Sequence, residues 1–101
     1  MKVYKGVRHN RLVALTVHDG DATRLLDPRF DLANHSPNGF ECDDPSQLAL
    51  ALCADVVADD ARAVRVYQPF KAAVLADLDG DAWQFTEQEF LNVIATLERN
   101  P

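Results

Sequence analysis

The first quarter of the chain consists of short runs of β-branched and aromatic residues separated by turn-forming residues. Lys2–Arg8 and Arg11–Val17 are two such runs, and His9-Asn10 between them is short enough for a tight connection. This pattern predicts a β-hairpin. His18–Asp21 predicts a second turn, after which Ala22–Leu26 adds a third strand to an antiparallel meander.

The clearest helix signal follows in the middle of the chain. Asp44 is placed as an acidic N-cap, Pro45 as the first helical residue and Gln47 as the third, which is typical of a capping box. Leucine and alanine alternate over Leu48–Val57, so the period alone also fits a strand. The cap and the alanines favour a helix that is buried on most sides.

A second helix is predicted from an apolar set that steps by three and four residues. Asp59 and Asp60 suit its first turn, where acids interact well with the helix dipole. Pro69 falls inside the pattern and predicts a kink or a break. The predicted apolar set is Ala61, Val64, Tyr67, Phe70, Val74 and Leu78.

The last fifth of the chain predicts one further helix after a short extended segment. Trp83–Phe85 fits a short strand or a packed turn, and Thr86 with Glu89 forms a capping box for a helix over Glu87–Glu98. Its apolar face is Phe90, Val93, Ile94 and Leu97. Strands first and helices afterwards predict an α+β fold, a small antiparallel sheet packed against about three helices.

Composition places the chain among folded acidic proteins. Its 101 residues are 48% hydrophobic, which suits a single domain spanning residues 1–101, and its net charge is −6. That charge disfavours direct binding to nucleic acid or to anionic lipid. The sequence shows no membrane span and no signal peptide, so we expect a cytoplasmic protein whose Cys42 and Cys53 are free thiols.

An acidic stretch near the C-terminal end raises the question of calcium binding. Asp77, Asp79 and Asp81 match positions 1, 3 and 5 of a helix–loop–helix calcium site. Position 6 is Ala82 where glycine is required, and position 12 is Gln88 where a bidentate glutamate is required. The stretch is better interpreted as a solvated acidic turn, with a calcium-responsive module as the least favoured alternative.

No other residues form a recognisable catalytic or metal-binding set. His9, His18 and His35 lack the spacing of two ligands on one element. Cys42 is flanked by acids, which raise a thiol pKa, and Cys53 lies in an apolar run that suits a core position. The sequence also lacks a nucleophile elbow and a phosphate-binding loop. We therefore expect no enzymatic activity, no metal and no cofactor.

The acids concentrate in two parts of the chain that contain no basic residue. On charge alone, the simpler interpretation is that they cap helices and solvate the surface. The alternative is that they share one face that imitates nucleic-acid phosphates and binds a cationic protein surface. The candidate partner-binding residues are Glu41, Asp43, Asp44, Asp55, Asp59, Asp60, Asp77, Asp79 and Asp81.

Several short motifs of the chain are distinctive. The most specific are Ser36-Pro-Asn-Gly-Phe40 and Pro45-Ser-Gln-Leu-Ala-Leu-Ala-Leu52, followed by Tyr67-Gln-Pro-Phe-Lys71 and Trp83. Together with Tyr4-Lys-Gly-Val-Arg8 they resemble a family of small uncharacterised phage, prophage and bacterial proteins, a domain of unknown function. Members of that family typically carry a longer segment rich in glycine and aromatic residues where this chain has only Glu41–Asp44.

The resemblance implies a setting, a mobile element inside a bacterial cell, and no activity. Small acidic proteins in that setting are often inhibitors of host defence, and anti-CRISPR proteins are similar in size and in lacking an active site. The resulting hypothesis is an inhibitor of anti-CRISPR type whose acids occupy a cationic surface, for example on a CRISPR effector complex. The alternative is a structural or regulatory adaptor, monomeric or homodimeric, that binds through an apolar surface.

Overall fold

A computed structural model describes residues 1–33, 39–76, 78 and 80–99. Four strands and three helices follow one another in an α+β arrangement, as the sequence predicts. In chain order they are β1 (Lys2–His9), β2 (Leu12–Asp19), β3 (Ala22–Leu25), α1 (Ser46–Val57), α2 (Asp60–Phe70), a π-helical turn (Lys71–Leu75), β4 (Ala82–Thr86) and α3 (Glu87–Arg99). No helix among these described residues is long and apolar enough to cross a membrane.

The strands form one antiparallel sheet in the order β3-β2-β1-β4, so the last strand returns to pair with the first. His9 pairs with Leu12, which places the first connection at Asn10 and Arg11, one residue later than predicted. Asn10 has a φ of 59°, a left-handed conformation that asparagine tolerates better than most residues. Of the two alternatives for Trp83–Phe85, the structure shows the strand, which forms part of β4.

The helices cover one face of this sheet and leave the other face to solvent. Tyr4, Leu15 and Val17 point inward and are at most 1% exposed. Val7 and Leu12 lie on the opposite face and are 41% and 40% exposed. This division follows from the two-residue period of a strand, which sends neighbouring side chains to opposite faces.

Helix α1 is the central element of the core, and its first turn differs from the predicted capping box. The N-cap is Pro45, and Asp44 instead accepts hydrogen bonds from the backbone nitrogen (3.2 Å) and hydroxyl (2.6 Å) of Ser46. Gln47 is fully buried. Its amide accepts from the backbone nitrogen of Arg29 at 2.8 Å and donates to the carbonyl of Ala33 at 2.7 Å. It therefore ties the 26–33 segment to α1, and that segment supplies the partners that a buried amide needs.

The buried face of α2 differs in part from the predicted one. The helix buries Ala63, Val66, Tyr67 and Phe70, whereas the predicted residues Ala61 and Val64 are exposed. Both sets have spacings of three and four residues and share Tyr67 and Phe70, so periodicity alone does not separate them. Packing against α1 selects the face that carries Val66.

Pro69 widens the helix without breaking it. The chain continues from Phe70 directly into the π-helical turn, where the backbone nitrogen of Ala76 donates to the carbonyl of Lys71, five residues back, at 3.0 Å. Proline lacks the N–H that an α-helix uses for its hydrogen bond, and the widened turn begins two residues after Pro69. The predicted distortion at Pro69 is present, but as a widened turn.

Helix α3 begins with the predicted capping box. The backbone nitrogen of Glu89 donates to the Thr86 hydroxyl at 3.1 Å, and the Glu89 carboxylate accepts from the backbone nitrogen of Thr86 at 2.9 Å. Phe90 in the first turn is 1% exposed, and its ring centroid lies 5.3 Å from those of Tyr4 and Phe70. This aromatic cluster joins α3 to the sheet and to α2.

Candidate functional site

A cavity of about 390 Å³ opens between the end of the β1–β2 hairpin, the start of α1 and the π-helical turn. Its size suits a small ligand or one inserted side chain. We call it the Trp83 cavity. Its lining residues are Arg8, Val13, Glu41, Cys42, Asp43, Asp44, Pro45, Leu48, Lys71, Leu75, Ala76, Leu78, Gly80 and Trp83.

Trp83 reaches the cavity because Gly6 leaves room for it. The two residues are paired across β1 and β4, and Gly6 is buried. A Cβ atom at Gly6 would fall well inside van der Waals distance of the indole atoms Cζ2, Cε2 and Cη2. The benzo ring therefore lies directly against the glycine backbone. A glycine inside a strand often marks such a close approach.

The start of α1 and the π-helical turn form a polar wall. The ammonium of Lys71 donates to the Ser46 hydroxyl at 2.9 Å and lies 3.6 Å from a carboxylate oxygen of Asp44. The hydrogen bond from Ser46, with a further contribution from Lys71, holds the pKa of Asp44 below its ordinary value. Lys71 is the first residue of the π-helical turn.

The hairpin fixes the remaining rim of the cavity through backbone hydrogen bonds. The nitrogen of Val13 donates to the carbonyl of Phe40 at 2.8 Å, and the nitrogen of Cys42 donates to the carbonyl of Arg11 at 2.8 Å. The nitrogen of Arg8 donates to the carbonyl of Asp81 at 2.7 Å. The short connection before α1 is thus tied to the hairpin, which places its acids at the cavity.

The predicted partner-binding residues separate into two groups at opposite ends of α1. Glu41, Asp43 and Asp44 line the cavity at its N-terminal end, and we call these three the acidic rim. Asp81 is exposed and follows Gly80, a lining residue. Asp55, Asp59 and Asp60 lie at the C-terminal end of α1, a helix of about 18 Å, whereas Asp77 and Asp79 lie outside the described residues.

Asp55 is enclosed by partners from the sheet. Its side chain is 15% exposed, and it accepts a hydrogen bond from the Tyr4 hydroxyl at 2.6 Å. It also pairs with Arg24 and, at 3.4 Å, with the ammonium of Lys2. Burial by itself raises the pKa of Asp55, but the hydrogen bonds and the two cations outweigh burial and lower it. We call Lys2, Tyr4, Arg24 and Asp55 the Asp55 cluster.

Asp59 and Asp60 also have partners within the fold. Asp59 is the N-cap of α2 and accepts from the backbone nitrogen of Arg62 at 3.1 Å. Asp60 accepts two hydrogen bonds from the guanidinium of Arg29, at 3.0 and 2.9 Å. The structure therefore gives the acids at this end of α1 a local role, and their part in partner binding stays a prediction.

A family model matches residues 4–96 of the chain, from β1 to the last turns of α3, and carries the description of a family of unknown function (DUF6166). The chain belongs to this family. All the residues that line the Trp83 cavity fall within the match. The resemblance to a domain of unknown function is thereby confirmed, while the family carries no assigned activity. No curated protein and no solved structure gives a significant match.

Several residues that line the Trp83 cavity are not identified as site residues from the sequence alone. Trp83, Lys71 and Arg8 belong to the distinctive motifs of the sequence, but the sequence alone does not assign them to a site. The glycine at position 6, inside an otherwise β-branched and aromatic strand, was the available signal, since it marks a close approach. Only the pairing of β1 with β4 shows what approaches it.

The cysteines and acids offer no evident metal or thiol chemistry within the described part of the chain. No group of three or more His, Cys, Asp or Glu side chains there is arranged to hold a metal ion. The calcium alternative involves Asp77 and Asp79, which lie outside that part. Burial raises the pKa of the Cys53 thiol to about 12, which keeps it protonated and unreactive. Cys42 is partly exposed and lines the cavity.

Proposed function

We propose that this protein is a non-enzymatic binding protein whose acidic rim holds a cationic surface of a partner protein. The observation that carries the proposal is the position of Glu41 and Asp43. Both line the Trp83 cavity, and among the described residues neither has an ion-pair partner. Carboxylates left without a cation by their own fold are available to a cation from elsewhere.

The contacts of the two cations that line the cavity support this assignment, since neither cation forms an ion pair with Glu41 or Asp43. Lys71 contacts Asp44 and Ser46. The Nε of Arg8 donates to the carbonyl of Asn10 at 2.9 Å. Neither side chain is placed to neutralise Glu41 or Asp43. Asp81, which is exposed beside the cavity, adds one more negative charge to this end of the molecule.

The more specific proposal is an inhibitor of host defence of anti-CRISPR type, encoded by a phage or another mobile element. In this proposal the rim carboxylates stand in for nucleic-acid phosphates and block a nucleic-acid-binding complex. Complementary charge would speed the encounter and set its specificity. The small size and the acidity of the chain support this proposal.

The adaptor alternative has its own supporting observation on the open face of the sheet. Val7 of β1, Leu12 of β2 and Leu25 of β3 are 41%, 40% and 66% exposed, and they lie on the face that no helix of the described residues covers. An apolar interface built on this face would survive high salt, whereas an interface built on the acidic rim would weaken. Salt dependence therefore separates the two functions.

The test is capture of partners on the immobilised protein from nuclease-treated lysate of a bacterium that carries CRISPR systems. Washes at low and then high salt precede mass spectrometry. The variant Glu41→Gln/Asp43→Asn removes two rim charges. Its matched control, Asp19→Asn/Asp21→Asn, removes two exposed charges at the β2–β3 turn, the end of β2 remote from the cavity.

We expect a nucleic-acid-handling complex to elute with salt from the original protein and from the control, and to be lost by the rim variant. Equal retention by the rim variant would contradict the proposal. A partner that persists through high salt would favour the adaptor.

A further inference from the structure

We propose that the Trp83 cavity receives a single arginine side chain of the partner, stacked against Trp83 with its guanidinium paired to the acidic rim. This inference rests on the proposed function and names the group that the rim recognises. It joins three features of the same site: an open cavity, an aromatic wall and two carboxylates without an ion-pair partner among the described residues.

The volume and the walls suit a long side chain with an apolar stem. The cavity of about 390 Å³ lies within the size range of small-ligand sites. Leu48, Leu75 and Leu78 supply apolar wall. Long cationic side chains commonly bury their methylene stem along such a surface while the charged head stays near the opening.

The aromatic wall favours a cation over a neutral group. Trp83 is the only tryptophan of the chain, and its benzo ring packs directly on Gly6 of β1. Tryptophan is the best of the aromatic side chains at attracting a cation to its ring. Glu41 and Asp43 line the same cavity and supply the negative charge that such a cation needs.

Arginine fits this arrangement better than lysine. Its planar guanidinium can stack on an indole and still direct several N–H groups to carboxylates, whereas an ammonium acts as a point charge. The cavity also has a lysine of its own, Lys71, whose ammonium is held by Ser46 and Asp44 at the α1 wall. The incoming group is therefore directed to the other carboxylates of the rim, Glu41 and Asp43.

The single tryptophan makes the test direct, because intrinsic fluorescence reports from the site itself. The probes are N-acetyl-arginine-N-methylamide, the corresponding lysine compound and the corresponding citrulline compound, which has nearly the shape of arginine without its charge. We expect a saturable fluorescence change with the arginine probe, about tenfold tighter than with the citrulline probe. The lysine probe should fall between them.

Two controls keep the result specific. Free N-acetyl-tryptophanamide, titrated in parallel, measures any change caused by collision alone. The Glu41→Gln/Asp43→Asn variant changes only rim side chains, so it should fold normally by circular dichroism and lose the preference for arginine over citrulline. Equal binding of the arginine and citrulline probes, or a change no larger than that of the free amide, would overturn the proposal.

Failure of this inference is distinguishable from failure of the proposed function. If the arginine probe shows no preference while the rim variant still loses its captured partner, the arginine site is wrong and the acidic interface stands. If the rim variant also retains its partner, the acidic interface is wrong as well.

Discussion

The two ends of α1 carry acids that look alike in the sequence and differ in what surrounds them. Each end borders a cavity, of about 390 Å³ at the acidic rim and about 380 Å³ beside the Asp55 cluster. At the Asp55 end, three lining cations, Lys2, Arg24 and Arg29, pair with carboxylates of the fold. At the rim, Glu41 and Asp43 have no such partner among the described residues.

The difference shows that the role of an acidic side chain depends on whether the fold provides a basic side chain to pair with it. The basic N-terminal strand provides Lys2 to Asp55, which lies 53 residues further along the chain. No strand or helix in the described part of the molecule brings an equivalent cation to Glu41 or Asp43. We infer that the Asp55 end stabilises the fold and that the rim end is available for binding.

The largest expected loss of stability comes from removing the Asp55 carboxylate. Asp55→Ala leaves the buried Tyr4 hydroxyl without its partner, removes the carboxylate that pairs with Arg24, and leaves Lys2 only its longer ion pair with Glu87. We expect a loss of about 3 kcal/mol in the free energy of unfolding, measured by urea denaturation at neutral pH.

The matched control is Asp43→Ala, since Asp43 is exposed at the rim. It should change the free energy of unfolding by less than about 0.5 kcal/mol. Similar losses from the two substitutions would remove the distinction between a stabilising end and a binding end.

A second prediction concerns the steric basis of the cavity end. Gly6→Ala introduces a Cβ atom that meets the Trp83 indole, so either the ring or β4 must move. We expect a loss of about 2 kcal/mol in the free energy of unfolding, together with altered tryptophan fluorescence. This result would show that packing of Trp83 on Gly6 stabilises the cavity end, whereas ion pairs and hydrogen bonds stabilise the Asp55 end.

The control for this prediction removes the indole that the new Cβ atom would meet. In a Trp83→Ala background the alanine at position 6 meets no indole, and alanine is otherwise better than glycine inside a strand. The cost of Gly6→Ala should therefore largely disappear, giving a coupling free energy of about 1 kcal/mol or more. If the losses of unfolding free energy from Gly6→Ala and Trp83→Ala simply add in the double variant, the Cβ atom at position 6 does not clash with the indole.

Local sequence signals predicted much of the fold. The strands of the meander, the capping box of Thr86 and Glu89 and the disturbance at Pro69 each depend on neighbours within a few residues, and the structure contains all three. The buried face of α2 was partly wrong, because the choice between Val64 and Val66 is made by packing against α1. Periodicity carries no information about which neighbour a face meets.

The candidate site was predictable only in part, because it depends on contacts between distant segments. The acids of Glu41, Asp43 and Asp44 were identified from charge, and the structure brings them to one cavity. Their separation from Asp55 follows from the length of α1 and from the position of Lys2, which no local pattern encodes. Gln47 is similar: its sequence position suited a cap, but burial and two long-range hydrogen bonds give it another role.

The smallest predicted effect is a dependence of stability on acid that originates at the Asp55 end. Burial alone would raise the pKa of Asp55, yet the hydrogen bonds from Tyr4 and Arg24 and the charge of Lys2 lower it overall. In the unfolded chain the aspartate pKa is near 3.9, so on acidification the unfolded state takes up this proton first. The contribution of Asp55 is therefore present above about pH 4 and is lost as pH falls through the lower pKa of the folded state.

The corresponding measurement is the urea midpoint between about pH 5 and pH 2, for the original protein and for Asp55→Asn. The variant should be less stable at pH 5, because asparagine cannot pair with two cations, and its midpoint should fall less as pH decreases. The effect is smaller than that of Asp55→Ala because a protonated carboxyl can still accept the hydrogen bond from Tyr4. Parallel curves for the two proteins would mean that the charge of Asp55 contributes nothing to the fold.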